Sequence, residues 1–478
     1  MKKLLSLGLV LIILFTSFSS YGAPIDYMGG VNNEYEYEEI VFITGTPIRF
    51  KGEVKVKEKV KDNVVTTTYD FKLIPEGGEK RDKLTRKLTY ETVYSEDPSK
   101  GQSIGQTRVT KFSETISIGG DKYILEDYQF SRSDVIDNRP ASHFYTGNLS
   151  GRKYYSINKN EGQIIVDISG GLVGYENFWG STETQQVVQM ITYPDNSQGM
   201  VTTQTSDSLT KRLIYSDNDV NLISFNGGYV KTSNREIVSR YDYSLPYGGL
   251  GHIKGTMELS KDMNPVLERL VVPKFRDVEG HWAQEYIEKL YSLGVFDDTS
   301  MTFFVPEGPI SRKEYIVAVM KASNIEPEVP EKKSSRSRRN QEVEVSPFKD
   351  ISTEEKDYFY IKEAKNLGII NGRSHNLFKP KDSLTIAEAV TILIRALGFE
   401  NRAPNPAYYT PFADDANIPN WARDSAYVAR EIGLVTADRF NPNKSLTRAE
   451  ASQLLVRFLE FLERDLQKDY RENIILFN

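Results

Sequence analysis

The chain has 478 residues, 39% hydrophobic and 26% charged, with a formal net charge of -6 and no cysteine. That length sets an expectation of two or three folded units. The missing cysteines exclude disulfides, thiolate metal sites and cysteine nucleophiles, and the mild acidity argues against a dedicated nucleic-acid binder, which would carry a basic domain.

Lys2 and Lys3 precede an apolar run from Leu4 to Phe15, followed by small residues in SFSSYG. This pattern predicts a secretory signal peptide over 1–22. The run is short for a membrane span, and no second one of that length follows. The expectation is an exported protein with no transmembrane span after cleavage. Without disulfides, its stability must come from core burial.

Between 24 and 272 the sequence reads as strands. Segments such as NVVTTTYDFKLI, TRKLTYETVYS and QTRVTKFSETISIGG alternate polar with apolar residues and are rich in Tyr, Thr, Val and Ile. Gly119-Gly120-Asp121 and similar groups punctuate them as hairpin turns. The expected fold class is an all-β antiparallel domain, either a sandwich or an extended curved sheet. Alternation alone also fits an outer-membrane barrel, but these strand faces are too charged for a lipid-facing band.

Near Pro273 the period changes to that of helices. YIEKLYSLG, YIKEAKNLG and AYVAREIG end at Gly294, Gly368 and Gly433, where glycine closes a helix. A second helix follows each one. Three copies share an order of landmarks. Each opens at Phe275-Arg276-Asp277, Phe348-Lys349-Asp350 or Phe412-Ala413-Asp414. A Phe-x-Pro loop follows (Phe304 and Pro306, Phe378 and Pro380, Phe440 and Pro442), then Ser311, Thr385 or Thr447, with Glu314, Glu388 or Glu450 three residues on. Repeats of this size pack on one another.

On these landmarks, and on Leu446-Thr447-Arg448-Ala449-Glu450 above all, the segment resembles the S-layer homology domain family. The resemblance implies an all-α triple-repeat unit of pseudo-threefold helical architecture that binds secondary cell-wall polysaccharide, often pyruvylated. The expected division is repeats at 274–325, 348–399 and 412–464, a flexible charged linker at 326–347, a second linker at 400–411 and a tail at 465–478. Secretion to the cell wall and surface follows from the same resemblance. The β-half matches no named family.

Ser/Thr-x-x-Glu is a capping box, so Ser311, Glu314, Thr385, Glu388, Thr447 and Glu450 read as structural. Arg312 and Arg448 are different. A cation at the first helical position opposes the helix dipole, which leaves room for a carboxylate ligand gripped by the guanidinium or for a salt bridge to a neighbouring repeat. Trp282 and Trp421 each stand twelve residues before a repeat glycine, where they would either stack on a sugar or fill the core. The second copy carries Ile386 and Lys356 at these positions, so it is expected to have lost its binding role. The candidate ligand-binding set is therefore Arg312, Arg448, Trp282 and Trp421.

His143, His252, His281 and His375 show no metal-ligand spacing, and no phosphate loop or nucleophile elbow occurs. No metal, cofactor or catalytic residue is expected. A carboxylate pair for glycoside hydrolysis is compatible with the many acidic residues. Tyr175, Glu176, Phe178 and Trp179 are the one place in the β-half to look for sugar contact, with a plain aromatic cluster as the alternative. Two functions remain: an anchored surface or S-layer protein displaying a non-catalytic β-domain, with self-assembly or other surface proteins as further partners, or an anchored enzyme or glycan-binding protein.

Overall fold

The computed structural model describes residues 29–98, 100–216, 228–248, 251–298, 302–327, 329, 344–373, 376–404 and 408–465. The expected signal peptide, most of the 326–347 linker, residues 405–407 of the second linker and the tail after 465 lie outside the described residues.

The described residues of the N-terminal half form one antiparallel sheet of 14 strands: β1 Val31–Asn32, β2 Tyr37–Val41, β3 Ile48–Lys61, β4 Val64–Pro75, β5 Lys83–Asp97, β6 Gln102–Ile118, β7 Asp121–Asn138, β8 Ser142–Ile157, β9 Gly162–Asn177, β10 Gly180–Thr192, β11 Gln198–Ser216, β12 Gly228–Pro246, β13 His252–Asp262 and β14 Val266–Leu270. From β1 to β13 each strand pairs with the next in sequence, and β14 pairs instead with β12, beyond the end of β13. The alternative of a two-sheet sandwich is thereby settled in favour of the curved sheet. Alternation sends one face inward. On β5, Leu84, Leu88 and Tyr90 are buried while Lys83, Thr85 and Lys87 are exposed.

Long strands twist and coil, and here the sheet curls until its ends meet. Lys261 of β13 pairs with Glu38 of β2 at 2.6 Å and with Glu36 at 3.2 Å. Phe42 packs against Tyr241 and Tyr243 of β12, and its carbonyl accepts from the Tyr193 hydroxyl. The result is a nearly closed, barrel-like sheet with a continuous apolar interior. Among the described residues, a cluster of four fully buried charged side chains sits inside it. Arg86 of β5 is directly across from Glu114 of β6, and it reaches Glu39 of β2 at 2.8 Å and Glu114 at 2.9 Å. Lys153 of β8 lies 3.4 Å from Glu114. All four are essentially inaccessible to solvent, and two cations face two anions, which is how buried charges are tolerated.

The described residues of the C-terminal half hold six α-helices: α1 Gln284–Ser292, α2 Arg312–Ala322, α3 Tyr358–Asn366, α4 Ile386–Leu397, α5 Asn420–Glu431 and α6 Arg448–Glu460. Gly294, Gly368 and Gly433 follow α1, α3 and α5 with φ of 70°, 73° and 75°. That left-handed conformation is one glycine adopts without strain. No helix among the described residues is long and apolar enough to cross a membrane.

The two halves share a core. Trp179, 1% exposed, and Ala141 are buried among the helical side chains. The Ala141 amide donates to the Ala396 carbonyl, Arg139 donates to the Gly398 carbonyl, and Asn177 donates to the Leu462 carbonyl. The β-domain therefore covers the C-terminal ends of α4 and α6 and satisfies carbonyls that a helix leaves without partners. The N-terminal ends of these helices lie at the far side, about 18 Å away along a 12-residue helix such as α4.

Candidate functional site

The far side is built from a repeated local device. Asp277 accepts from the Phe304 and Val305 amides at 2.9 and 2.7 Å. Asp350 does the same with Phe378 and Lys379, and Asp414 with Phe440 and Asn441. Each opening aspartate thus ties down its Phe-x-Pro loop. Burial pushes the Asp277 carboxyl up, but the two amides and the Arg448 charge hold it below the usual range. In the sequence these aspartates were landmarks without a role. Their spacing of about 27 residues from the loop gives no local signal of the contact. The middle residues Val305, Lys379 and Asn441 have φ of 58°, 59° and 52°.

Each loop leads into a capped helix. Ser311, Thr385 and Thr447 accept from the amides of Glu314, Glu388 and Glu450, and each glutamate accepts in return from its cap amide. The caps also meet one another. Isolated bridges join Ser311 to Ser383, Thr385 to Ser445, and Pro309 to Thr447. The first amide of each second helix crosses to the next loop: Arg312 to the Asp382 carbonyl, Ile386 to that of Lys444, and Arg448 to that of Gly308. The following amides, of Lys313, Ala387 and Ala449, cross to the carbonyls of Pro380, Pro442 and Pro306. The second helix of one helical pair also packs on the first helix of the next, α2 on α3, α4 on α5, and α6 back on α1.

The candidate arginines lie in these seams. Arg312 is 5% exposed. Its guanidinium is 3.3 Å from Glu388, donates to the Asn371 carbonyl and lies 5.5 Å from the centre of the Phe378 ring. Arg448 pairs with Glu314 at 2.5 Å and covers the Phe304 ring at 4.4 Å. Both arginines have a buried Nε without a hydrogen-bond partner among the described residues. Ile386 occupies the third seam, where Glu450 takes its salt bridge from Lys444 instead.

Trp282 and Trp421 are 53% and 56% exposed, so neither is a core residue. Trp282 stands beside His281, whose ring nitrogen contacts Glu307 in the loop that Arg448 and Ala449 also bind. Ala283 and Ala449 share one small core. Trp282 therefore belongs to the seam of Arg448. Lys356 belongs to the seam of Arg312, since Lys313 pairs with both of its acidic neighbours, Glu355 and Asp357. Trp421 stands in the first turn of α5, which packs on α4, the helix that Ile386 begins. The two departures of the second copy thus fall in different seams. Only that of Arg448 and Trp282 combines a guanidinium with an indole.

In the β-domain, Trp179 and Tyr175 are buried where the two halves meet, and Lys211 lies over the Phe178 ring at 4.7 Å. This cluster is the joint between the halves, with its large aromatic faces already covered. An open depression of about 400 Å³ is lined by Met190, Gln198, Met200, Ser244 and His252 among others, and has no carboxylate in its lining. A closed cavity of about 30 Å³ beside Arg86, Lys153 and Tyr155 includes Glu114, which is held by those two cations.

Comparison with known proteins matches the S-layer homology domain model at residues 274–316 and 347–390. Relatives include "Exoglucanase XynX" of Acetivibrio thermocellus, 27% identical over 43% of this chain and 18% of that protein. The "Surface-layer 125 kDa protein" of Lysinibacillus sphaericus is 26% identical over 41% of this chain and 16% of that protein. An "Endoglucanase" of Bacillus sp. (strain KSM-635) is 34% identical over 27% of this chain and 14% of its own length. The chain spans less than a fifth of each of these relatives, and the similarity to the glycosidases falls mostly on the S-layer homology region. Residues 274–316 and 347–390 are S-layer homology domains, and they mark a secreted cell-surface protein attached to the cell wall.

Proposed function

We propose that the helical half is a three-copy, pseudo-threefold anchor that binds secondary cell-wall polysaccharide, and that residues 412–464 are its third repeat. The cyclic order of the inter-repeat hydrogen bonds supports this reading, because the third pair hands back to the first through the Arg448 and Ala449 amides. The ligand-binding set is Arg312, Arg448, Trp282 and Trp421, with the seam of Arg448 and Trp282 as the principal site. The observation that carries the assignment is the guanidinium at a helix N-terminus beside an exposed indole. A small rotation would present Nε together with a terminal nitrogen to a carboxylate, such as the pyruvate ketal of a wall sugar, and give the buried Nε its partner. The indole would cover the apolar face of the same sugar.

The β-domain then projects from the opposite end of the anchor and serves as the displayed, non-catalytic surface module, in an S-layer or beneath one. The test is retention on sacculi that keep their polysaccharide. Arg448→Ala and Trp282→Ala should each release the protein while leaving its circular dichroism unchanged. Equal retention on stripped peptidoglycan would refute the assignment. The glycosidase names among the relatives support a second reading, an anchored enzyme or glycan binder. Release of reducing sugar from cellulose, starch or wall polymer by the purified full chain would establish it.

A further inference from the structure

The outer face of β3 to β6 carries a charge opposite to that of the whole chain. On β3, Lys55, Lys57, Lys59 and Lys61 all point outward, opposite to Val54 and Val56, which pair with the core residues Phe71 and Tyr69. Among the described residues, β3 has no partner on its outer edge beyond Gly52, because β2 pairs only as far as that residue. The same face continues across the register. Lys55 leads to Asp70 and Lys87, Lys57 to Thr68, Thr89 and Lys111, Lys59 to Thr66, Glu91 and Arg108, and Glu53 to Lys72. Over these rungs eight cations meet three carboxylates, in a chain of net charge -6. Arg108 is held by Glu91 at 2.6 Å, and Lys55 lies 3.9 Å from Glu53. Among the described residues no carboxylate stands within salt-bridge distance of Lys57, Lys59, Lys61, Lys72, Lys87 or Lys111, and all six are exposed.

We propose that this face is a second binding surface, for an anionic wall polymer bearing phosphate or carboxylate groups. The inference rests on the wall location proposed above. The strand rise of about 3.4 Å per residue puts successive lysines of β3 about 7 Å apart, in a straight row that a flexible, regularly charged chain can follow. Lysines on an exposed edge strand also guard against edge-to-edge pairing, and that accounts for β3 alone. It does not account for Lys72 and Lys87, which are paired to a strand on both sides. The uncharged residues between the cations are threonine, serine, valine and glutamine, with no aromatic platform for nucleic-acid bases. The face has the charge and hydrogen-bonding groups for a sugar-phosphate or uronate chain, and it belongs to the half that turns away from the anchor's seams.

The test compares the full chain with a variant carrying Lys57→Gln, Lys59→Gln, Lys61→Gln and Lys111→Gln, using linear polyphosphate and poly-L-glutamate as probes over a salt series. Both probes should bind the native chain, and the variant should lose about 3 from the slope of log affinity against log salt, four cations at roughly 0.7 each. A preference for one probe identifies the anion as phosphate or carboxylate, and either preference supports the surface. The variant should still sediment with sacculi at moderate salt, whereas Arg448→Ala should lose sacculi and keep its salt slope. Failure of the native chain to bind sacculi would overturn the anchor reading while leaving the slope to test this face. An unchanged slope in the lysine variant overturns the proposal, as does a variant that only aggregates. Tighter binding of duplex DNA than of either probe overturns the assignment to a wall polymer.

Discussion

Arg86→Met should be the most damaging single change to the β-domain. The native guanidinium is fully buried and bridges Glu39 at 2.8 Å and Glu114 at 2.9 Å. Its loss leaves Glu39 with the Tyr37 hydroxyl, and Glu114 with the Tyr155 hydroxyl and Lys153 at 3.4 Å. Breaking a buried ion pair from one side costs about 3–5 kcal/mol. For a domain of this size that is on the order of 10 °C in thermal midpoint, read by circular dichroism. The pH dependence gives a sharper check. Burial pushes the Glu114 carboxyl up, but Arg86 and Lys153 outweigh it and bring its pKa down from 4.5 to about 2. A depressed carboxyl contributes stability above its unfolded pKa, and that contribution is lost as pH falls from about 4.5 towards 2. In the variant the strongest lowering charge is gone, so Glu114 protonates at higher pH. The stability gap between native chain and variant should therefore be widest near pH 7 and shrink below pH about 4. Replacing Arg86, Glu39, Glu114 and Lys153 together by apolar residues of similar size should recover most of the loss. A gap under about 1 kcal/mol at pH 7, or one that does not change with pH, would refute the network as described.

Val305→Asn should raise stability by about 1 kcal/mol in denaturant titration, because a β-branched residue is held at φ 58° where the equivalent loop has Asn441 at 52°. Asp277→Ala removes two charge-assisted hydrogen bonds to the Phe304 loop and should cost about 2–4 kcal/mol by the same assay. Because that carboxyl is held below its ordinary value, its stabilisation is present above the unfolded pKa and is lost on acidification. Trp179→Ala opens the joint between the halves and should cost about 3–5 kcal/mol, with calorimetry resolving two transitions in place of one. Ile386→Arg places a guanidinium beside Trp421 and Glu450, and should strengthen wall-polymer binding by about 1.4 kcal/mol, a tenfold gain. Unchanged affinity there would limit the binding role to the seam of Arg448 and Trp282.

Alternation of two and of 3.6 comes from backbone geometry, so the strands of the first half and the helices of the second were legible residue by residue. So were the capping boxes and the closing glycines, whose partners lie within four residues. The side chains that decide the site and the interior have distant partners. Arg86 and Glu114 sit at inward positions of strands that otherwise read as ordinary alternation, which gives no sign that a charge is buried there. Trp179 read as a possible sugar contact until the helices covered it. Whether the sheet formed a sandwich or curled on itself depended on Lys261 meeting Glu38, 223 residues earlier in the chain. The seams tell the same story. Ile386 and Lys356 belong to one copy and looked like one lost site, but they face different neighbours, and Arg448 completes its contacts with Phe304 and Glu314, more than 130 residues before it. Local hydrogen bonding and side-chain period are properties of a short segment, and a sequence displays them directly. Which two distant segments meet is set by how the chain closes on itself, and that appears only when the apolar faces of all the segments are buried at once.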